Sequence, residues 1–118
     1  MKKVMILASG EFFETLCSKL SKRYTVFQTS DPMHAKAFLL AKPDALIINM
    51  SLPGMDSLEF LKANADHLPP VIIATTPYIS NALITELSVL NASYLIRLPC
   101  NPEILQDRLA EQLKKRLS

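Results

Sequence analysis

The sequence predicts an α/β fold: a doubly wound (βα)5 arrangement in which five β-strands alternate with five α-helices around a parallel sheet. Short continuous apolar runs, such as residues 4–8 and 45–50, have the length of strands that are covered on both faces. Stretches with apolar residues at helical spacing lie between these runs. Because parallel neighbouring strands need a crossover connection, usually a helix, this alternation favours a parallel sheet with helices on both faces.

The elements follow one another without an internal repeat or a linker. The first helix carries its apolar residues at helical spacing and its lysines on the other side. The predicted strands are residues 4–8, 24–29, 45–50, 71–74 and 94–98, and the predicted helices are about residues 12–20, 33–41, 57–65, 80–90 and 102–117.

Local signals set the element boundaries. Asp31 followed by Pro32 is typical of a helix cap with proline in the first turn, so the second helix begins there and ends before Pro43. Residues 52–55 form a turn after the third strand, and residues 69–70, both proline, precede the fourth. The last helix has leucines at i, i+4 spacing, namely Leu105, Leu109, Leu113 and Leu117.

Length and composition indicate one globular domain spanning residues 1–118. Apolar residues make up 49% of the chain and charged residues 20%, which excludes a disordered segment. The formal net charge is only +2, so we expect no direct binding of nucleic acid, and the basic residues 114–116 suit a helix end. No apolar run approaches the ~20 residues that span a bilayer. We therefore expect a cytoplasmic protein without a membrane segment or signal peptide.

The two cysteines, Cys17 and Cys100, have neither metal-ligand spacing nor an evident pairing, so reduced thiols are expected. His34 and His67 lack partners at the spacing of a metal site or a catalytic triad. No combination of nucleophile, base and orienting group is evident, and two glycines cannot form a glycine-rich phosphate loop. The sequence therefore predicts no enzymatic activity and no catalytic residue.

In an open parallel sheet, ligands bind beyond the carboxyl ends of the strands. The segments at those ends are residues 8–10, 49–51, 75–76 and 98–99. Any functional site is expected there.

Two of these segments resemble the receiver domain of response regulators, the CheY-like family. Residues 43–56 (PDALIINMSLPGMD) closely resemble its third strand and following loop. Residues 91–103 (NASYLIRLPCNPE) align without a gap onto its fifth strand and the start of its last helix. The resemblance extends over the whole chain in order. It implies a flavodoxin-like sheet topology and a cis peptide bond between Leu98 and Pro99.

The resemblance also locates the family's phosphorylation site, and this sequence departs from it at four of five positions. The family uses an acidic pair to hold Mg²⁺, an acceptor aspartate, a hydroxyl residue and a lysine. In this chain those positions are Ala8 and Ser9 (the acidic pair), Asn49 (the acceptor), Thr75 (the hydroxyl, retained) and Leu98 (the lysine). The implied site is therefore degenerate, and the chain is expected to be a pseudo-receiver that is either part of a transcription regulator or a free-standing domain.

Physical chemistry explains why these replacements remove the reaction. An amide lacks the charge that makes a carboxylate a nucleophile toward phosphorus. Mg²⁺ binds through carboxylates, so Mg²⁺ binding is expected to be lost and no cofactor is expected. The remaining acids at the rim, Glu11 and Asp56, are expected to be solvated loop carboxylates. The Thr75 hydroxyl is expected to bond to local backbone.

Two alternatives remain open at this stage. One is a functional phosphorelay receiver that uses Ser9, Ser51 or Thr75 as an atypical acceptor. The other is a small-ligand sensor that uses the less charged pocket. Both predict a ligand or a modification at the carboxyl end of the sheet, whereas a pseudo-receiver needs neither.

A signalling domain with an inert pocket must act through a surface, and the sequence points to the fourth helix, fifth strand and fifth helix. A helical wheel directs residues 83, 87 and 90 of the fourth helix inward and leaves Ala82 and Val89 on its outer side. In the fifth helix the leucine stripe leaves Ile104 outside, and the resemblance adds Leu95 of the fifth strand, the position of the family's switching aromatic. Tyr94 is interpreted as a packing or interface residue. These side chains predict a protein partner or a homodimer, although scattered exposed apolar residues are also common without any function.

Overall fold

The computed structural model describes residues 1–117, with side chains up to residue 115. Strands and helices alternate along this part of the chain, with a short 3-10 helix at Ala65–His67 after the third helix. The strands are β1 (Lys3–Leu7), β2 (Thr25–Thr29), β3 (Ala45–Asn49), β4 (Val71–Thr76) and β5 (Tyr94–Arg97), and the helices are α1 (Glu11–Leu20), α2 (Pro32–Leu40), α3 (Ser57–Ala63), α4 (Asn81–Val89) and α5 (Pro102–Leu117).

All five strands form one parallel sheet in the order β2-β1-β3-β4-β5. The order reverses beside β1, so the carboxyl ends of β1 and β3 border the crevice where ligands bind in such sheets. The predicted doubly wound, flavodoxin-like fold is confirmed.

The sheet separates two apolar layers, because successive side chains of a strand point to opposite faces. One layer joins the sheet to α1 and α5, where Leu16, Leu20, Leu105 and Leu109 are buried. The other layer joins it to α2, α3 and α4. Since burying one leucine contributes about 1.5–3 kcal/mol, these two layers supply most of the stabilisation.

Side-chain caps start four of the helices, α2 to α5, as the first turn of a helix leaves N–H groups without partners. A carboxylate oxygen of Asp31 accepts from the Met33 N–H at 2.8 Å, which confirms the predicted start of α2. Asp56 caps α3 in the same way. The Ser80 hydroxyl oxygen accepts from the N–H of Leu83 at 3.1 Å and caps α4. At α5 the amide oxygen of Asn101 accepts from the Glu103 N–H at 3.0 Å.

Most predicted boundaries of strands and helices agree with the structure within one or two residues. The end of β4 is also displaced, and its cause is clear. The apolar run predicted a strand that ends at Ala74, whereas β4 continues through Thr75 and Thr76. Threonine is β-branched and favours strands, so the two polar residues extend the ladder. Helix α3 ends at Ala63, two residues earlier than predicted, and the next turn is 3-10.

The last helix contains the predicted leucine stripe as far as it can be followed. Leu105, Leu109 and Leu113 are buried, whereas the side chain of Leu117 lies outside those described. In residues 1–117, no helix combines the length and the apolar character that a bilayer crossing requires.

Candidate functional site

The carboxyl edge of the sheet brings the predicted site positions together on its α1/α5 face. Asn49 and Thr75 are paired in the parallel register of β3 and β4, and Thr75 is paired with Ile96 of β5. Ala8 directly follows β1 and is only 1% exposed. Four of the five positions named by the resemblance therefore share one edge and one face of the sheet, whereas Ser9 lies exposed in the loop after β1.

Asn49 directs its side chain toward its own loop. The amide oxygen accepts from the N–H of Ser51 at 3.1 Å, and the backbone carbonyl accepts from the Ser57 hydroxyl at 2.8 Å. Ser57 is buried, so this bond ties the end of β3 to the start of α3. The amide oxygen at the acceptor position is thus a structural hydrogen-bond acceptor for the turn.

Ala8 and Ser9 occupy the positions of the acidic pair without contributing a charge. Ser9 is exposed, and Ala8 uses its backbone groups: its N–H donates to the Thr29 carbonyl oxygen at 3.0 Å. A hollow of about 300 Å³ beside them is lined by mostly neutral residues, with Glu14 as its single charge: Ala8, Ser9, Gly10, Glu14, Gln28, Thr29 and Ser30. Such a lining offers poor ligands for Mg²⁺, which binds through carboxylates.

Leu98 makes its part of the edge apolar. It packs against the α1/α5 core and lines a hollow of about 290 Å³ together with Phe12, Pro77 and Pro99. The Leu98–Pro99 peptide bond is cis, as the resemblance implies. An anionic phosphoryl group would meet hydrocarbon here instead of an ammonium group.

The expectation that the Thr75 hydroxyl bonds to local backbone is wrong. Thr75 is 0% exposed, and its hydroxyl oxygen has no hydrogen-bond partner among the described residues. The reason is that Thr75 lies within β4 and points into the α1/α5 layer. The local bonds belong to Thr76 instead, whose hydroxyl donates to the Tyr78 carbonyl oxygen at 2.9 Å and accepts from the Tyr78 N–H at 3.2 Å.

Carboxylates are sparse around this edge. Asp56 uses one oxygen to cap α3, and Glu11 lies exposed in the first turn of α1. Within residues 1–117, no group of three or more His, Cys, Asp or Glu side chains could hold a metal ion. The edge therefore presents a buried hydroxyl, an amide oxygen that is bonded within its own turn, and an apolar hollow.

The predicted interface residues fall into two groups. Ala82, Val89 and Ile104 are exposed as expected, whereas Leu95 is half-buried and packs against the core on the α2/α3/α4 face. Leu95 is therefore only in part a surface residue, because its position in β5 points it under α4. Tyr94 packs on the opposite face, where the Arg108 guanidinium lies 5.2 Å from its ring centre.

The helical wheel missed three exposed apolar side chains near this face. Tyr78 is 81% exposed, and Ile79 and Ile84 are also exposed. The signal was present in the sequence, since two apolar residues follow Pro77 in the loop before α4.

No protein-family model and no curated protein sequence matches the chain. Several solved structures, however, are similar to it in fold. A CheY-like response regulator receiver domain protein from Methanospirillum hungatei has a TM-score of 0.86 at 20% identity, covering 98% of this chain and 95% of that chain. The signal receiver domain of a putative LuxO repressor protein from Vibrio parahaemolyticus has a TM-score of 0.84 at 23% identity, covering 97% and 91%.

A third similar structure is a response regulator from Burkholderia pseudomallei with a phosphorylated aspartic acid, a calcium ion and citrate. Its TM-score is 0.80 at 22% identity, covering 99% of this chain and 71% of that chain. At such identities a structural likeness establishes the fold. The chain has the fold of response-regulator receiver domains.

Proposed function

We propose that this chain is a pseudo-receiver: a signalling module of the response-regulator type that binds protein partners and needs no phosphorylation. The observation that carries the proposal is the state of Asn49. An amide stands at the acceptor position, and its oxygen is already bonded to the Ser51 N–H. We place the module in the cytoplasm, within a protein that regulates transcription.

The other site positions support the same conclusion. The Burkholderia pseudomallei neighbour carries a phosphorylated aspartic acid and a calcium ion. In this chain, the positions that the resemblance assigns to the metal-binding acids are Ala8 and Ser9, and the lysine position is Leu98. Neither a metal ion nor an ammonium group would offset the charge of a phosphoryl group, and electrostatic stabilisation is the main catalytic term in phosphoryl transfer.

An atypical acceptor has little support from the surroundings of the hydroxyl residues. Thr75 is fully buried, so a phosphodonor cannot reach its oxygen without opening the sheet edge. Ser9 and Ser51 are exposed, but a serine hydroxyl needs an adjacent base or metal to become a useful nucleophile. The histidines lie elsewhere: His34 approaches Asp31 at the start of α2, and His67 ends the 3-10 helix.

Small-ligand sensing is a second candidate, and the apolar hollow at Leu98 favours it. Four apolar residues line this hollow, which would suit a small uncharged molecule of mainly hydrocarbon character. Ligand binding there would be lost in Leu98→Lys and kept in Asn49→Asp. The alternative to ligand sensing is that this hollow binds nothing and closes in solution. That alternative is consistent with a pseudo-receiver, which needs no ligand.

The experiment that tests the proposal is incubation with acetyl phosphate and Mg²⁺ followed by intact-mass measurement. A receiver that retains its aspartate, treated in parallel, shows that the donor is active. We expect the mass of this chain to stay unchanged. A stoichiometric gain of one phosphoryl group would refute the proposal, and fragmentation would then show whether Ser9, Ser51 or Thr75 carries it.

A further inference from the structure

The charged residues of this chain are segregated between the two ends of the sheet. At the carboxyl edge, four helices carry acidic side chains at the cap or in the first turn, and most exposed carboxylates of the described residues lie there: Glu11, Glu14, Asp31, Asp56, Glu59 and Glu103. Most cations lie at the opposite edge, where the strands start and the helices end. A formal net charge of only +2 therefore combines an acidic end with a basic end.

The amino-terminal edge carries a row of cationic segments along three neighbouring strands. Because Lys3 pairs with Thr25 of β2 and the next residue pairs with Ala45 of β3, the segments that precede these strands lie side by side. The Lys3 carbonyl oxygen also accepts from the Asp44 N–H at 2.8 Å. The cationic residues of these segments, called here the basic row, are Lys2, Lys3, Lys22, Arg23 and Lys42.

Helix dipoles account for only part of the basic row. A cation is stabilised by the carbonyl groups at a helix end, and Lys3 has that role, since its ammonium group donates to the Ala41 carbonyl oxygen after α2 at 3.0 Å. Lys2, Lys22 and Lys42 lie outside the helices. Among the described residues, no carboxylate forms an ion pair with any of these three. Their charges are therefore available to an external anion.

An apolar hollow continues the basic row at the start of β4, because β3 and β4 also start in register. It measures about 340 Å³ and lies between the end of α2 and the segment after the 3-10 helix. Its apolar lining residues are Leu39, Leu40, Pro43, Leu68, Pro69 and Pro70. Lys42 and His67 also line it, together with one carboxylate, that of Asp66. The hollow therefore has room for one large apolar side chain beside a lysine.

Lys42 connects the basic row to the hollow and has an unfavourable backbone conformation. Its φ of 55° lies in the left-handed region, where a residue with a Cβ atom is disfavoured. Glycine is the usual residue in this conformation after a helix. Asn91, the other non-glycine residue with a positive φ in residues 1–117, is of a type that tolerates it. Strained residues occur often at binding sites, and the strain at Lys42 places a charge at the mouth of the hollow.

We infer that the amino-terminal edge binds an acidic, extended segment of a partner protein, which inserts a large apolar side chain into the hollow and directs its carboxylates along the basic row. Neighbouring strands are about 4.8 Å apart, so the distance from β4 to β2 is roughly 15 Å. An extended segment rises about 3.3 Å per residue, so one apolar residue followed by four acidic ones spans it. This inference rests on the proposed function, because it gives the pseudo-receiver a binding surface and a partner chemistry.

The hollow is the reason to choose a peptide over another polyanion. A nucleic acid backbone presents phosphates and sugars, which would leave an apolar hollow unfilled. A membrane surface receives apolar groups that project from a protein, whereas a concave site receives a side chain. Leu40 is 62% exposed and lines the hollow, so a peptide that covers the hollow also removes this side chain from water. The carboxylates of the same peptide complement the unpaired lysines.

Fluorescence anisotropy of a labelled synthetic peptide tests the inference on the full chain. The probe is one phenylalanine followed by four glutamates, with both ends blocked. We expect saturable binding at physiological ionic strength, and Lys42→Glu should weaken it about tenfold, because the charge reversal replaces attraction by repulsion. Lys36→Glu makes the same charge change at an exposed position within α2 and is the matched control. It should weaken binding far less, since screening limits charge effects to about 8 Å.

Two control peptides separate the contributions of charge and apolar contact. One has glutamine in place of each glutamate, and the other has alanine in place of phenylalanine. Each should bind about tenfold more weakly or not at all, because each lacks one of the two complementary features. Circular dichroism confirms that each protein variant is folded. A mixed-sequence DNA duplex and vesicles that contain phosphatidylserine are the competing polyanions, measured against the same variants.

Three results would overturn the inference. They are no saturable binding of the phenylalanine peptide up to millimolar protein, equal weakening by Lys42→Glu and Lys36→Glu, and binding of the DNA or the vesicles through Lys42 that is tighter than binding of the peptide. These measurements use no phosphodonor, so they are independent of the mass measurement. Absence of peptide binding with an unchanged mass would remove this partner and leave the pseudo-receiver. A phosphoryl gain with peptide binding through Lys42 would refute the pseudo-receiver and leave this surface.

Discussion

Asn49 and Thr75 are paired across β3 and β4, yet their side chains do not satisfy each other. The Asn49 amide oxygen bonds to the Ser51 N–H, and the Thr75 hydroxyl is buried without a partner. A buried hydroxyl without a hydrogen bond costs free energy on folding. In the receiver domains that the sequence resembles, these two positions hold the acceptor and the hydroxyl of the phosphorylation site. In this chain the two side chains are not hydrogen-bonded to each other.

The two adjacent threonines of β4 should respond oppositely to the same substitution. Thr75→Val removes an unsatisfied hydroxyl at nearly constant volume, so we expect the free energy of unfolding to stay the same or rise by about 1 kcal/mol. Thr76→Val removes two hydrogen bonds to the Tyr78 backbone and should lower it by about 1–2 kcal/mol. Urea denaturation measures both. A larger loss in Thr75→Val than in Thr76→Val would show that the Thr75 hydroxyl has a partner in solution.

Asp56 is predicted to act as a helix cap and not as a metal ligand. Asp56→Ala should lower the free energy of unfolding by about 1 kcal/mol, as loss of a cap typically does. Asp31→Ala, which removes the corresponding cap of α2, is the matched control. The difference in stability between the wild type and Asp56→Ala, measured by thermal denaturation, should be the same with and without millimolar Mg²⁺. Stabilisation by Mg²⁺ that disappears only in Asp56→Ala would instead assign a cation site to this edge.

Cys100 is expected to be a slow nucleophile. Burial raises the pKa of its thiol, so less thiolate is present at neutral pH. In a Cys17→Ser variant, alkylation by iodoacetamide at pH 8 should be roughly tenfold slower in the folded protein than in urea. Since the folded state favours the protonated thiol, the stability contributed by Cys100 is complete below its unfolded pKa and decreases as the pH rises through the folded pKa. Equal rates in the folded and unfolded protein would contradict this burial.

The fold could be predicted from the sequence because local and global signals agree in it. Continuous apolar runs define the buried strands, and the cap at Asp31 fixes the start of α2. The end of β4 could not be predicted in the same way, because Thr75 and Thr76 break the apolar run although they extend the ladder. Pattern alone does not show which polar residues are hydrogen-bonded in a strand.

The site positions were predictable only through the resemblance, since Ala8 and Leu98 carry no chemical signal of their own. The surroundings of these positions could be seen only in the structure. The Thr75 hydroxyl without a hydrogen-bond partner and the hollow at Leu98 both depend on how the loops pack. The exposed residues around α4 were also only partly predictable from the sequence. A helical wheel orients residues within one helix, but Tyr78 and Ile79 belong to the preceding loop, and Leu95 is covered because β5 lies beneath α4.

We propose that the edge around Asn49 neither binds Mg²⁺ nor accepts a phosphoryl group and therefore does not control the α4 surface. A two-dimensional amide NMR spectrum, recorded with and without Mg²⁺ and acetyl phosphate, measures all three properties together. We predict that the signals of Asn49, Ser51, Thr75 and α4 stay at the same positions throughout. Saturable shifts at Asn49 and Thr75 that are accompanied by shifts along α4 would contradict the account.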